Sequence, residues 1–300
     1  MAQKWTAADI PSLDGKLAIV TGANRGLGLD IAKALAQHGA QLVMAVRDPV
    51  RSAEAVAAVR QVAPKASVTV LPLDLADLAS IRAFAGLIGG RLDILINNAS
   101  AILVPQGKTK DGFETHFGVN QLGTFALTGL LLDRLCATPG ARIVNTASTA
   151  HRLVKGLDLD DLDFVRAKYR PMEAYGRSKL ATLLFTFELD RRLRLAGADT
   201  LAVAAHPGYS NTKNGNGGRF MTLLTDIFAQ PAAMGALPTL YAATAAGVAG
   251  GDYYGPDGMQ EMRGHPIKVV TKPTAQDTEM AARLWALSEK LTGVPFLTAG

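Results

Sequence analysis

Tyr175 and Lys179 stand four residues apart in a helix-patterned run, so both side chains leave the same face of one helix. A neighbouring ammonium favours tyrosinate. It would pull a phenol down from its usual pKa of about 10 and let Tyr175 give or take a proton near neutral pH. Ser148 follows the apolar run ARIVNTA (141–147), and its hydroxyl can hold a substrate oxygen beside that phenol. Asn120, in HFGVNQLG, sits in the middle of a helical pattern where Asn is neutral to unfavourable, and it can carry a water toward Lys179. Together these residue types suit proton transfer to or from an oxygen whose charge changes during reaction.

A second constellation suits a phosphate. The apolar run 17–20 leads directly into Thr21-Gly22-Ala23-Asn24-Arg25-Gly26-Leu27-Gly28, and a helix-patterned segment follows. Gly22 permits a tight turn, and Gly26 lets bare backbone approach a pyrophosphate at the helix N-terminus. Gly28 leaves room for the helix to pack on the strand. In an NAD site an acidic residue is expected about twenty positions on, at the ribose. Nineteen residues past Gly28 stands Arg47 instead, and Arg25 projects from the glycine turn itself. Two guanidinium groups suit a 2′-phosphate, which favours NADP(H) over NAD(H). Asp48 would oppose this if it faced the ribose, but Asp48-Pro49 reads as a helix N-cap followed by Pro at N1.

The elements needed to hold these groups recur regularly. Strand candidates occupy 17–20, 41–46, 67–73, 92–97, 141–147 and 200–206, and Ala-rich helical segments lie between them. One long helix is expected from about Asp111 to Cys136 and another from Met172 to Leu195. Uniformly apolar strands belong to a parallel sheet covered on both faces, and strand–helix alternation at this spacing makes it doubly wound. The fold class expected is α/β, a single-domain Rossmann fold. Residues 1–15 read as an N-terminal extension and 16–300 as one dinucleotide-binding and catalytic domain, with pocket segments near 151–171 and 209–230. The stretch 231–251 reads as a buried helix, RFMTLLTDIFAQ (219–230) as a mobile helix over an apolar substrate, and 273–292 as a helix carrying Trp285.

Composition removes other classes. Of the 300 residues 48% are hydrophobic and 19% charged, too apolar for a disordered chain. The net charge of +5 is scattered, without the basic stripe a nucleic acid needs. A single cysteine, Cys136, rules out an internal disulfide or a cysteine zinc site, and it reads as a small core residue. The five histidines form no metal set; His116 and His206 read as structural, and His151, three residues past Ser148, has lining the pocket only as its lesser reading. With no signal peptide or membrane span apparent, a cytoplasmic location is expected.

These motifs together resemble the short-chain dehydrogenase/reductase family, nearest its retinol-dehydrogenase-like branch, from Lys16 to about Tyr254. The family's glycine motif falls on Thr21, Gly22, Gly26 and Gly28. The resemblance implies adenine contact at Asp74 and the adjoining Leu75, and places Asn98 and Ala99 at the cofactor. Ser100 stands where the family's Asn-Asn-Ala-Gly motif ends in glycine. It implies a catalytic tetrad of Asn120, Ser148, Tyr175 and Lys179, the last two also touching the cofactor. Pro207, Gly208 and Thr212 would grip the nicotinamide carboxamide. The twenty-seven residues from Ser148 to Tyr175 match the retinol-dehydrogenase-like spacing. The activity implied is hydride transfer between NADP(H) and an apolar aldehyde, ketone or secondary alcohol, with no metal. NAD-linked alcohol oxidation, double-bond reduction and non-catalytic NADP(H) sensing are the alternatives. Homodimer and monomer both stay open.

Overall fold

The six apolar runs become strands of one sheet in the computed structural model, which describes residues 4–209, 231–258 and 260–297. They are β1 (Leu17–Thr21), β2 (Gln41–Val46), β3 (Val68–Pro72), β4 (Ile94–Asn97), β5 (Arg142–Thr146) and β6 (Leu201–Ala205). Two further strands extend the sheet past β6: β7 (Tyr253–Gly258) and β8 (Arg263–Lys268). The spatial order is β3-β2-β1-β4-β5-β6-β7-β8. Every pairing is parallel except that of β7 with β8, which is antiparallel. The order reverses direction between β1 and β4, and the crevice beyond the carboxyl ends of strands at such a reversal is where open α/β sheets bind ligands.

Helices follow the strands in turn. In chain order they are α1 (Gly26–Gln37), α2 (Ala53–Val62), α3 (Leu78–Leu87), the single turn α4 (Thr115–Phe117), α5 (Thr124–Cys136), α6 (Pro171–Leu195), α7 (Ala232–Thr244) and α8 (Thr278–Thr292). One sheet face packs Val20, Met44, Ile96 and Val203 against Ile31 and Leu35 of α1, Val59 of α2 and Leu240 of α7. The opposite face packs Ile19, Leu95 and Ile143 against Phe84 of α3, Phe125 of α5 and Phe185 of α6. Burial on both faces explains the unbroken apolar runs of β1, β2, β4, β5 and β6, while β3 at the sheet edge is only partly buried. Over the outer side of α5 and α6 lies α8, whose Trp285 meets Phe125 at 5.1 Å and carries the Arg192 guanidinium at 4.3 Å. The N-terminal segment is docked as well: Ile10 and Leu13 are buried, and Trp5 sits edge-on to Tyr241 of α7.

Among the secondary-structure elements, the structure departs from the sequence reading in several places. The long helix begins at Thr115 rather than Asp111, because Glu114 caps it by accepting from the His116 and Phe117 amides. It passes through a π-helical turn, Gly118–Gly123, before α5 resumes. The β7–β8 hairpin was not anticipated, since YYGPDG and RGHPIK contain the residues that usually break strands. Its prolines, Pro256 and Pro266, pair with each other at the sheet edge. Cys136 ends α5 exposed instead of joining the core. No helix among the described residues is long and apolar enough to cross a membrane.

Candidate active site

The glycine turn stitches the sheet at its reversal point. Thr21 Oγ1 accepts from the amides of Asn98 and Ala99, each at 2.9 Å, and donates to the Ile96 carbonyl at 3.3 Å. Asn98 Nδ2 donates back to the Thr21 carbonyl at 2.8 Å. These bonds lock the end of β1 to the end of β4, and α1 must enter very close to both. A Cβ on Gly28 would lie 2.3 Å from the Gly22 carbonyl oxygen and 2.6 Å from Asn98 Nδ2, so only glycine fits. Gly22 itself turns with φ +67°, in the left-handed region that glycine tolerates best.

Three other helical segments are capped by aspartates. Asp77 accepts from Ala79 and Ser80 at the start of α3, Asp277 from Met280 at α8, and Asp48 from Val50 and Arg51. At α1 the N-cap residue is Arg25, and no side chain among the described residues caps the first turn. Its leading amides therefore lack a side-chain acceptor at the point where the helix dipole is positive, which fits a bound pyrophosphate. Arg25 and Arg47 are both exposed, and neither guanidinium has a partner among the described residues. Asp48 is occupied by its cap and by Arg51 Nε at 3.2 Å. Asn24 is half-buried in the turn and Leu27 is buried. Farther along the same edge, Asp74 Oδ1 accepts from the Ala76 amide at 2.9 Å, and the Leu75 carbonyl packs where a Cβ on Gly123 would intrude.

At the other end of the crevice, α6 sets Tyr175 and Lys179 beside the end of β5. Lys179 is buried, its Nζ donates to the Thr146 carbonyl at 2.7 Å, and it lies 5.7 Å from the Tyr175 ring centroid. Burial lowers the Lys179 ammonium to a pKa of about 7. Burial also pushes the Tyr175 phenol upward, and a side-chain hydrogen bond with Ser148 opposes that rise. This corrects the expectation of a depressed phenol, because desolvation disfavours phenolate as it disfavours ammonium. Ser148 has extended backbone (φ −158°) at the N-cap of the 3-10 turn Thr149–Leu153, and its Oγ accepts from the Ala150 amide at 3.2 Å.

Asn120 sits in the π-helical turn with its amide saturated. Its Oδ1 accepts from Ser100 Oγ at 3.0 Å and from the Ala101 amide at 2.7 Å. Its Nδ2 donates to the Ala101 carbonyl and to Ser178 Oγ, each at 2.9 Å. It thus ties the loop after β4 to α6 one residue before Lys179, rather than contacting Lys179 itself. Ser100, the departure from the glycine motif, is part of that tie.

Other expectations resolve differently. Pro207 and Gly208 leave the end of β6, with Gly208 at φ +66°. Thr212, the pocket segment near 209–230 beyond Tyr209, and the expected helix 219–230 lie outside the described residues. His151 is not a pocket wall: it is fully buried beneath the site, and its Nδ1 donates to the Ser148 carbonyl at 2.6 Å. Burial pushes it down to a pKa of about 4. The sequence reading also missed a buried amide relay. Asn97 Nδ2 donates to Asn145 Oδ1 at 2.8 Å, and Asn145 Nδ2 donates to Thr186 Oγ1 of α6 at 3.0 Å. The available signal was an Asn in each of two apolar strands; the two residues are directly paired in register. No cluster of three or more potential metal ligands occurs among the described residues.

Comparison with known proteins bears on the family and the fold. Residues 16–157 match the family model described as short chain dehydrogenase. The chain is 41% identical over 297 residues to retinol dehydrogenase 13 of Homo sapiens, covering 94% of this chain and 86% of that one. A crystal structure of a protein from Mycobacterium Paratuberculosis superimposes with a TM-score of 0.82 at 43% identity, covering 98% of this chain and all of that chain (100%). A short chain dehydrogenase from Burkholderia cenocepacia, solved in complex with NADP, has a TM-score of 0.63 at 25% identity over 80% of this chain and 96% of its own.

Proposed function

The chain belongs to the short-chain dehydrogenase/reductase family, on its retinol-dehydrogenase-like side, and we propose that it is an NADP(H)-dependent oxidoreductase acting on apolar aldehydes, ketones or secondary alcohols. The observation that carries this reading is the placement of Lys179, its Nζ 5.7 Å from the Tyr175 ring centroid and fixed on the Thr146 carbonyl two residues before Ser148. A bound nicotinamide would supply or accept the hydride, and the protein's task is to orient the reactants and move the proton. Tyr175 gives its phenolic proton to the substrate oxygen in reduction and recovers it in oxidation. Ser148 donates to the same oxygen as charge builds there. Lys179, poised near its midpoint at neutral pH, restores the proton and holds the ribose hydroxyls.

The preference for NADP(H) rests on Arg25 and Arg47, two exposed guanidiniums without partners among the described residues, while Asp48, which follows Arg47, is occupied by its cap and by Arg51. The uncapped first turn of α1 would hold the pyrophosphate, and Asp74 and Leu75 would flank the adenine. That a related fold was solved with NADP supports the same choice. The test is cofactor consumption, followed by nicotinamide absorbance, against a panel of aliphatic and aromatic aldehydes and ketones, with NADPH and NADH in parallel. NADPH oxidation by apolar carbonyls is the expected result. Tight NADPH binding with no turnover on any member would favour a sensor instead.

A further inference from the structure

Beneath the reactive end, one carboxylate joins three segments that are remote in sequence. Glu261, in the turn between β7 and β8, receives both Arg152 and His206. Arg152 Nη2 donates to its two oxygens at 2.8 and 2.9 Å, and to the Val270 carbonyl at 3.0 Å. Lys272 Nζ in turn donates to the Arg152 carbonyl. The tautomer of His206 follows from its neighbours. Its Nδ1 accepts from the Gly208 amide at 3.2 Å, so Nε2 bears the proton and donates to Glu261 Oε2 at 3.0 Å. His206 is buried, whereas Arg152 and Glu261 keep partial exposure.

The backbone of this turn is bound to the same segment. The Met262 carbonyl accepts from the Tyr209 amide at 2.8 Å, and a Cβ on Gly208 would lie 2.4 Å from that oxygen. Gln260 and Glu261 are consecutive non-glycine residues in the left-handed region, at φ +56° and +63°. Such conformations persist where the surroundings over-determine them, often beside a functional site. Arg152 lies four residues after Ser148, and His206 lies two before Gly208. The carboxylate therefore spans the segment bearing the Ser148 hydroxyl and the segment that leaves β6.

We propose that Glu261 is a positioning residue: by bridging Arg152 and His206 it fixes Pro207 and Gly208 against the Ser148 turn, so that the nicotinamide end of the dinucleotide is held facing Tyr175. This rests on the functional reading above but concerns a residue outside its proton-transfer set. Removing one partner of a charged, partly buried hydrogen-bond set leaves the others uncompensated, so the effect should concentrate where those partners sit. The phosphate end, built from β1, α1 and β2, shares none of these bonds.

The test compares two ligands and one ligand-free measurement in the full chain. Binding of NADPH and of 2′-phospho-ADP-ribose, which lacks the nicotinamide, is measured by calorimetry for the wild type, Glu261→Ala and Glu261→Gln. Amide hydrogen exchange at residues 206–209 is followed in the free proteins. In Glu261→Ala, NADPH should bind roughly tenfold more weakly while 2′-phospho-ADP-ribose changes by less than about twofold, and the Gly208 and Tyr209 amides should exchange faster. Glu261→Gln keeps an acceptor for His206 but loses the charge that Arg152 needs, so its effect should be intermediate; it also carries the test if the alanine variant fails to fold. Equal weakening of both ligands, or unchanged exchange at 206–209, would overturn the proposal. Failure of the wild type to bind either dinucleotide would instead overturn the functional reading, and the exchange data would still decide whether Glu261 holds the segment.

Discussion

At the phosphate end of the cleft the offered groups are backbone amides at the start of α1, shaped by glycines within eight consecutive residues. At the reactive end they are side chains on α6, at the end of β5 and in the π-helical turn before α5, two of them held by segments remote in sequence: Lys179 by Thr146, and Asn120 by Ser100 and Ser178. The first construction is local and stiff, because a missing Cβ at Gly28 and a turn at Gly22 define it. The second depends on burial and on hydrogen bonds across the sheet, so its electrostatics belong to the whole fold. Substitutions at the first end should alter affinity. Those at the second should alter turnover and the pH dependence of stability.

The largest effect is expected for Tyr175→Phe, which removes the proposed proton donor and leaves the ring. Turnover should fall by a factor on the order of 10³ or more, with NADPH affinity nearly unchanged. Loss of affinity of similar size would show that the two ends are not separable. Next comes the buried histidine under Ser148. His151 is pushed from its usual 6.5 to about 4 by burial, so the unfolded chain binds its proton first as pH falls. The stability this confers is complete above pH 6.5 and is lost progressively toward pH 4, a loss of about 3 kcal/mol from this group. Chemical denaturation of His151→Gln at several pH values should show a slope flatter by that amount across this window. An unchanged slope would mean that His151 charges within the native fold. The smallest effect belongs to the phosphate end: Arg25→Ala with Arg47→Ala should weaken NADPH roughly 10- to 100-fold and leave NADH unaffected. Equal weakening of both cofactors would move the arginines from 2′-phosphate recognition to a structural role.

Much of the fold could be read from the chain alone, for identifiable reasons. Five strands were recognisable because burial on both faces demands unbroken apolar runs, the partly exposed edge strand β3 because its run is β-branched, and α6 because its helical pattern continues from Pro171 to Leu195. The hairpin β7–β8 could not be found this way: at a sheet edge Pro256 and Pro266 are tolerated, and edge pairing leaves no period in the sequence. Glu261 was hidden for the same reason, since its partners lie 109 and 55 residues away. Cys136 misled because apolar neighbours suggested a core position, while the end of α5 turns it outward.

The sequence by itself determined which residues can do chemistry and their order: a glycine turn after the first strand, Ser148 after the fifth, and Tyr175 and Lys179 one helical turn apart. Those facts depend on backbone geometry over a few residues, which composition and spacing encode directly. Only the tertiary structure decided how the groups behave: that Lys179 sits near pH 7, that the Tyr175 phenol is raised rather than lowered, that Asn120 ties two elements together, and that a distant carboxylate clamps the end of β6. Desolvation and long-range hydrogen bonds set those properties, and both exist only once remote segments have been packed together.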